Sequence, residues 1–346
     1  MNYSIADFAL LSALTFIAVG LLTPQIRKVA LRFGAVDAPN LERKSQKEPV
    51  PYLGGVAIAI GVVAASYGSL LAVDFSMQTV KLASTVLVPA IAISAMGLWD
   101  DLKGLQPWPR LMAQTATGVA VSTILIATDT IGTAFGNTLL NYLITTFWIV
   151  GVCNSINFFD NHDGGAAGTV AVITFFLFFI AYDRQQILVS ALAVVTAGAT
   201  AGFLIWNRHP AKIYMGDAGS LFLGIIISVL TIRLSPGVVP TYMSLAIPVI
   251  LMATPILDTS VAVFSRLYRG ISPFQGGRDH LSHRLMRKGL NRKATAITLW
   301  AMAAYYGAIA LALYIWPDSA GRPLLTLAIA SWVAQLIYFL RIPSEG

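Results

Sequence analysis

The sequence predicts an all-α, polytopic integral membrane protein of about eleven transmembrane helices, with its N-terminus outside and its C-terminus inside. Three observations carry that prediction. The 346 residues are 56% hydrophobic and only 11% charged, with a mean hydropathy of +0.72, which is more apolar surface than a soluble core absorbs. Apolar runs close to the roughly 20 residues needed to cross a bilayer recur along the whole chain. Of the 23 Lys and Arg, 19 fall in every second loop, and such asymmetry marks the cytoplasmic side of a membrane protein.

In order, the spans read 5–26, 53–73, 82–99, 111–128, 142–157, 166–182, 187–206, 220–234, 242–264, 294–316 and 323–340. The first has Asp7 and no basic residue ahead of its apolar run, so it is expected to persist and not to be cleaved as a signal peptide. Alternation puts Arg27, Lys28, Arg32, Arg43, Lys44, Lys47, Lys103, Arg110, Arg208, Lys212, eight residues from Arg266 to Lys293, and Arg341 on the cytoplasmic side. Only Lys81, Arg184, Arg233 and Arg322 remain on the other. The net charge of +7 therefore reflects topology and contacts with anionic membrane lipids or substrate, and no nucleic acid is expected. One cysteine, Cys153, excludes an internal disulfide and a Cys-based metal cluster. Residues 1–346 read as a single transmembrane domain.

The chemistry sits in the cytoplasmic loops, where carboxylates meet span ends. Acids near membrane depth are expensive and are functional by default. Loop one ends Pro49-Val50-Pro51-Tyr52-Leu53-Gly54-Gly55, prolines extending the chain and glycines allowing another backbone or a ligand to come close. Lys47, just before it, could meet lipid head groups or a phosphorylated substrate. Loop two carries Asp100-Asp101, adjacent like charges that suit a divalent metal or a general base. Loop three has Asn154, Asn157, Asp160 and Asp163, each three apart. Nine residues is half a helical revolution beyond whole turns, so a break near Asp160–Gly165 is expected, with Gly164 and Gly165 as its cause. Loop four leads through Asn207, Lys212 and Gly216-Asp217-Ala218-Gly219 into span eight. A carboxylate at a helix N-terminus suits phosphate and Mg²⁺ held together, though Asp217 could also merely cap that helix. Loop five holds Asp258, Arg266, Arg269, Arg278, His280, His283 and Arg284, a cationic or metal-binding face in which zinc would need a further His or Cys.

Taken in order, Pro49–Gly55, Gly97–Asp101 with Arg110 and Gln114, Asn154–Gly164, Asn207–Gly224 and Phe274–Leu285 resemble the motif series of the polyprenyl-phosphate N-acetylhexosamine-1-phosphate transferases. The resemblance runs from about Asp37 to Leu285, with Tyr214–Gly224 its most specific segment. It implies a ten- or eleven-span bundle with a cytoplasmic active site, multi-pass in the inner (plasma) membrane. The implied reaction moves a sugar-1-phosphate, GlcNAc-1-phosphate being expected, from a UDP-N-acetylhexosamine to undecaprenyl or decaprenyl phosphate. Mg²⁺, or Mn²⁺, serves as cofactor, UMP leaves, and a cell-envelope glycan is started; a homodimer is compatible with this.

By the same resemblance, Asp217 matches the metal-ligand aspartate, and Asp100 and Asp101 match the pair assigned to metal or acceptor-phosphate chemistry, Asp100 being a second metal ligand. Asn154, Asn157, Asp160 and Asp163 match the Asn/Asp motif, Asn207 the nucleotide-side asparagine, and His280 and His283 the motif contacting diphosphate or sugar. The catalytic set is then Asp100, Asp101, Asp160, Asp163, His280 and His283. Lys47, Arg110, Asn154, Asn157, Asn207, Lys212, Arg278 and Arg284 are expected to bind substrate. Ser282 and Gln46 stand where many members have His, and Gly164-Gly165-Ala166 departs from the commoner texture. An ion- or proton-coupled secondary transporter is the alternative, but transporters place their acids near the midplane and these crowd one face. A non-catalytic scaffold is a third reading.

Overall fold

Among the described residues, ten long apolar helices and one sharply bent helix pair make up the bundle. The computed structural model describes residues 3–37, 49–73, 76–273 and 276–344; the expected substrate residue Lys47 lies outside them. In chain order the elements are α1 (Ile5–Arg32), β1 (Val36–Asp37), β2 (Val50–Pro51), α2 (Gly54–Val73), α3 (Met77–Lys103), α4 (Pro107–Ala127), α5 (Thr138–Phe159), α6 (Gly165–Asp183), α7 (Ile187–Asn207), α8 (Gly216–Arg233), α9 (Thr241–Leu251), α10 (Ala253–Tyr268), α11 (Leu281–Arg287), α12 (Arg292–Ile315) and α13 (Pro317–Leu340).

Local chemistry sets the helix starts. Ser4 and Asp7 form a reciprocal capping box on α1, and Asn137 and Asn291 cap α5 and α12 through their side chains. Pro107 and Pro317 open α4 and α13, where the missing N–H costs nothing.

The expected single span 242–264 is two helices, α9 and α10, bent by 70°. The break follows Leu251, and Pro255 in the first turn of the second helix lacks the N–H that would bond the Leu251 carbonyl and its ring crowds that carbonyl. Two further elements were not expected in an all-α chain. Strands β1 and β2 pair antiparallel, Val36 opposite Pro51, and close the base of loop one. The short α11 lies within loop five.

Helix α8 occupies the centre, with 83% of its apolar stretch buried, whereas α13 at the rim has 11%. An apolar helix without a polar face is suited to such a position, and its neighbours include α2, α3 and α5. Small residues permit the approach. A Cβ on Gly55 of α2 would lie 2.1 Å from the Gly219 nitrogen of α8, and one on Gly97 of α3 would lie 2.5 Å from the Asp217 carbonyl oxygen.

The chain runs between two ends of this bundle. The Tyr182 hydroxyl donates to the Tyr3 carbonyl at one end, and Arg284 binds the Ile342 carbonyl at the other. The five loops that carry the motif acids and histidines open at the Ile342 end, as the alternation of spans requires.

Candidate active site

The start of α8 is the platform of the site. Tyr214 N–H donates to the Pro51 carbonyl at 2.7 Å, while Gly54 and Gly55 N–H donate back to the Tyr214 and Met215 carbonyls at 2.9 and 2.8 Å. The paired glycines of loop one thus admit a backbone, that of the α8 lead-in. Gly216 turns the chain with φ +72°, a conformation costly for other residues. The cap on α8 comes from another helix. Asp101 on α3 accepts from Asp217 N–H at 2.9 Å and from Ala218 N–H at 3.0 Å, satisfying orphan donors and complementing the helix dipole. Asp217 is therefore capped and is not itself the cap, which leaves its carboxylate for other work.

That carboxylate is held from two sides. Asn157 Nδ2 donates to Asp217 Oδ1 at 2.8 Å, and Arg110 Nη1 donates to Oδ2 at 2.9 Å. The same Arg110 nitrogen reaches Asp100 Oδ2 at 2.7 Å, and Asp100 Oδ1 accepts from Leu105 N–H at 2.6 Å. Asp100 is buried and lies behind Asp217, both its oxygens engaged. Asn154 also stands one layer back, donating to Gln114 Oε1 at 2.6 Å.

The break expected at Asp160–Gly165 is present: α5 ends at Phe159, Gly164 adopts φ +71°, and α6 begins at Gly165. Asp163 pairs with His209 Nδ1 at 2.6 Å and accepts from Ala211 N–H at 3.2 Å. Asn207 accepts from Gly164 N–H and donates to the Ile213 carbonyl, both at 3.0 Å, so it latches loops three and four together. Asp160 makes no side-chain hydrogen bond among the described residues. Burial, then the nearby Asp217 and Asp163 carboxylates, push its pKa up to about 7.

Loop five folds inward. His280 Nδ1 donates to Asp258 Oδ2 at 2.7 Å, and Arg266 Nη2 lies 3.3 Å from Nε2; since arginine only donates, the ring carries its proton on Nδ1. Arg266 also grips Asp279 with two bonds of 2.8 Å, and Arg269 adds a third at 3.0 Å. Arg284 is almost fully buried and donates to the Asp279, Phe339 and Ile342 carbonyls, an anchor for the end of α13. His283 instead faces the cavity. Burial, with His280 and Arg287 beside it, lowers its pKa to about 4, so it is a neutral hydrogen-bonding group at physiological pH.

These elements enclose a cavity of about 420 Å³. Of the expected residues, Asp101, Asn157, Asp160, Asp163, Asn207, Asp217 and His283 line it. Asp100, Arg110, Asn154 and His280 support it from behind. Lys212 and Arg278 are exposed outside it, and Arg284 is an internal anchor. Gly216 also lines it; Asp37, Tyr52, Asn161, His162, Tyr214, Met286 and Arg292 complete the lining and were not singled out from sequence, nor was His209. Tyr52 and Tyr214 flank the glycine motifs and were legible by that adjacency; His162 and Asn161 lie inside loop three itself.

Among the described residues, five carboxylates face this cavity, those of Asp37, Asp101, Asp160, Asp163 and Asp217, against one arginine, Arg292. No three His, Cys, Asp or Glu groups among the described residues form a ready-made metal cage. Hard oxygen donors in excess suit a divalent cation such as Mg²⁺, which takes one or two carboxylates and completes its shell with water and substrate phosphates.

Comparison with known proteins places the chain. Residues 83–235 match the family model for glycosyl transferase family 4. Over 305 residues the chain is 32% identical to a probable undecaprenyl-phosphate N-acetylglucosaminyl 1-phosphate transferase of Bacillus subtilis, covering 86% of this chain and 83% of the relative. The chain belongs to the polyprenyl-phosphate N-acetylhexosamine-1-phosphate transferases. Within that transferase family it is also 31% identical to a decaprenyl-phosphate N-acetylglucosaminephosphotransferase of Mycolicibacterium smegmatis, over 98% of this chain and 90% of the other. A phospho-N-acetylmuramoyl-pentapeptide-transferase of Staphylococcus saprophyticus is 26% identical, over 90% and 98% of the two chains. The transferase is thus a membrane-embedded phosphotransferase, and the transporter and scaffold readings fall away. Every cavity carboxylate except Asp37 lies within the matched segment 83–235.

Proposed function

We propose that this transferase moves N-acetylglucosamine-1-phosphate from UDP-N-acetylglucosamine to a polyprenyl phosphate, releasing UMP at the cytoplasmic face, with Mg²⁺ held by Asp217. One observation carries the metal dependence: a cavity with five carboxylates and one arginine among the described residues would repel a diphosphate unless a cation joined them. When bound, Mg²⁺ neutralises phosphate charge and orients the diphosphate for displacement of UMP. The chain's own residues do the positioning. Asn157 and Arg110 fix the Asp217 carboxylate; Asp101 fixes the backbone that carries it; Asp100 holds Arg110 in place. Asp160 can take or release a proton near neutrality. The acceptor phosphate, with a second pKa near 6, is already largely ionised there, so no obligatory base is required.

The donor reading rests on relatives: two named for N-acetylglucosamine, at 32% and 31% identity, against 26% for the muramoyl-pentapeptide enzyme. Cytoplasmic placement of the site is supported by the 19 of 23 basic residues assigned to its end of the bundle. Incubating purified protein with undecaprenyl phosphate, UDP-N-acetylglucosamine and Mg²⁺ tests the reading. Lipid-linked N-acetylglucosamine phosphate and UMP are the expected products; no product with Mg²⁺ or Mn²⁺ present would reject it.

A further inference from the structure

At the opposite end of the bundle from the cavity, the last residue of α8 is a buried cation without a counter-ion among the described residues. Arg233 is 7% exposed, and its one side-chain hydrogen bond among the described residues goes from Nη1 to the Thr85 hydroxyl at 3.1 Å. A guanidinium carries five N–H donors. No carboxylate lies within ion-pair distance among the described residues, although an uncompensated buried charge is strongly unfavourable.

Arg233 lines a second cavity, of about 370 Å³, together with Thr130, Gly132, Gln186, Leu188 and Val189. Leu188 and Val189 belong to the first turn of α7, which has no side-chain cap, and their N–H groups meet no acceptor among the described residues. Gln186 ties the elements together, donating to the Arg233 carbonyl at 2.8 Å and accepting from Ser235 N–H at 2.9 Å. The site therefore combines a fixed buried guanidinium with the open N-terminus of a 21-residue helix, two features that each attract an anion. Among the described residues its one acid is Asp129, exposed at the rim.

We infer that this pocket binds a phosphate-bearing anion at the far end of the bundle. The chemistry is that of an anionic phospholipid head group or of free phosphate. The pocket's place at a helix-bundle end, flanked by the half-exposed Ile187, sets it at head-group depth. It shares no residue with the transferase cavity, so the inference stands independently of the donor and metal assignments.

The test uses the full-length protein with inorganic phosphate in detergent, and in nanodiscs of phosphatidylglycerol or of phosphatidylcholine. Thermal midpoint and native mass spectrometry for a retained lipid are the readouts. Wild type is expected to gain several degrees from phosphatidylglycerol over phosphatidylcholine if the source is lipid, or from millimolar phosphate if it is the free ion. Arg233→Met should lose that gain while keeping transferase turnover, showing that it folds; Arg233→Lys should retain part of it. Asp129→Asn should keep or enlarge the gain. The inference is overturned if wild type shows no gain from either probe, if Arg233→Met keeps it, or if Asp129→Asn abolishes it, since removing a rim acid cannot weaken an anion held by Arg233.

Discussion

Replacing Asp101 with Asn separates a carboxylate that builds the site from one that reacts in it. Asp101 accepts two backbone N–H bonds, at 2.9 and 3.0 Å, from the first turn of α8. An amide keeps one acceptor and turns its NH₂ toward the second donor. Leaving that buried N–H unmet costs about 1–3 kcal/mol. Removing negative charge from a partly buried helix N-terminus costs about 0.3–2 kcal/mol more. The sum, about 1–5 kcal/mol, lowers the unfolding midpoint by about 3–10 °C at roughly 2 °C per kcal/mol for a chain of this size. Because the bonded N–H belongs to Asp217, turnover falls in the same variant. Thermal unfolding of detergent-solubilised protein, followed by tryptophan fluorescence alongside turnover, measures both. If Asp101→Asn unfolds at the wild-type midpoint while turnover collapses, its carboxylate acts on substrate and the capping argument is wrong.

Three more expectations follow from the same geometry. With metal removed by EDTA, Asp160 should make stability pH-dependent: its pKa of about 7 in the fold lies above the ordinary 3.8, so the folded state binds the extra proton. Stability then declines as pH rises from about 4 to 7 and levels off above; Asp160→Asn should flatten that slope, and an unchanged slope would place the shifted group elsewhere. Arg284→Ala should lower the midpoint by the loss of three carbonyl partners, about 2–5 kcal/mol for a buried charged network, while the KM for the donor stays within about twofold. A large rise in KM would restore Arg284 to the substrate. Cysteines placed at Gln78 and Asp318 should react with an impermeant maleimide in intact cells and one at Gly276 should not, the native Cys153 being buried; reversed labelling would invert the topology.

Span number and alternation were legible because each apolar run announces itself by length. The break between α9 and α10 was not: Pro255 sits inside a run whose hydrophobicity continues on both sides, and proline in membrane helices is common enough to pass. Asp100 and Asp101 are indistinguishable as a sequence pair. Adjacent residues on a helix point about 100° apart, so one meets Arg110 and the other meets α8, and only the packing of α3 on α8 decides which. The same limit explains loop five. Arg284 and His280 read as members of a basic surface, yet the buried acids Asp258 and Asp279 draw that segment inward. The pairing of Asp163 with His209, 46 residues away, has no local signature. Where the functional group depends on a close backbone approach, as at Gly54 and Gly55, the residue type itself gave the signal.

The central claim is that Asp217 holds the divalent cation on which transfer from a UDP-N-acetylhexosamine depends. The direct measurement is mass analysis of the lipid product formed by wild type and Asp217→Asn, each given undecaprenyl phosphate with UDP-N-acetylglucosamine or UDP-N-acetylmuramoyl-pentapeptide, with Mg²⁺ or with EDTA. Wild type should form the N-acetylglucosamine lipid only with Mg²⁺ and none from the muramoyl donor. Asp217→Asn, unfolding at a midpoint close to that of wild type, should be slower by at least about two orders of magnitude, as expected when a positioned charge on the transferring phosphate is lost. Near-normal turnover in that variant, or full activity in EDTA, would contradict the account.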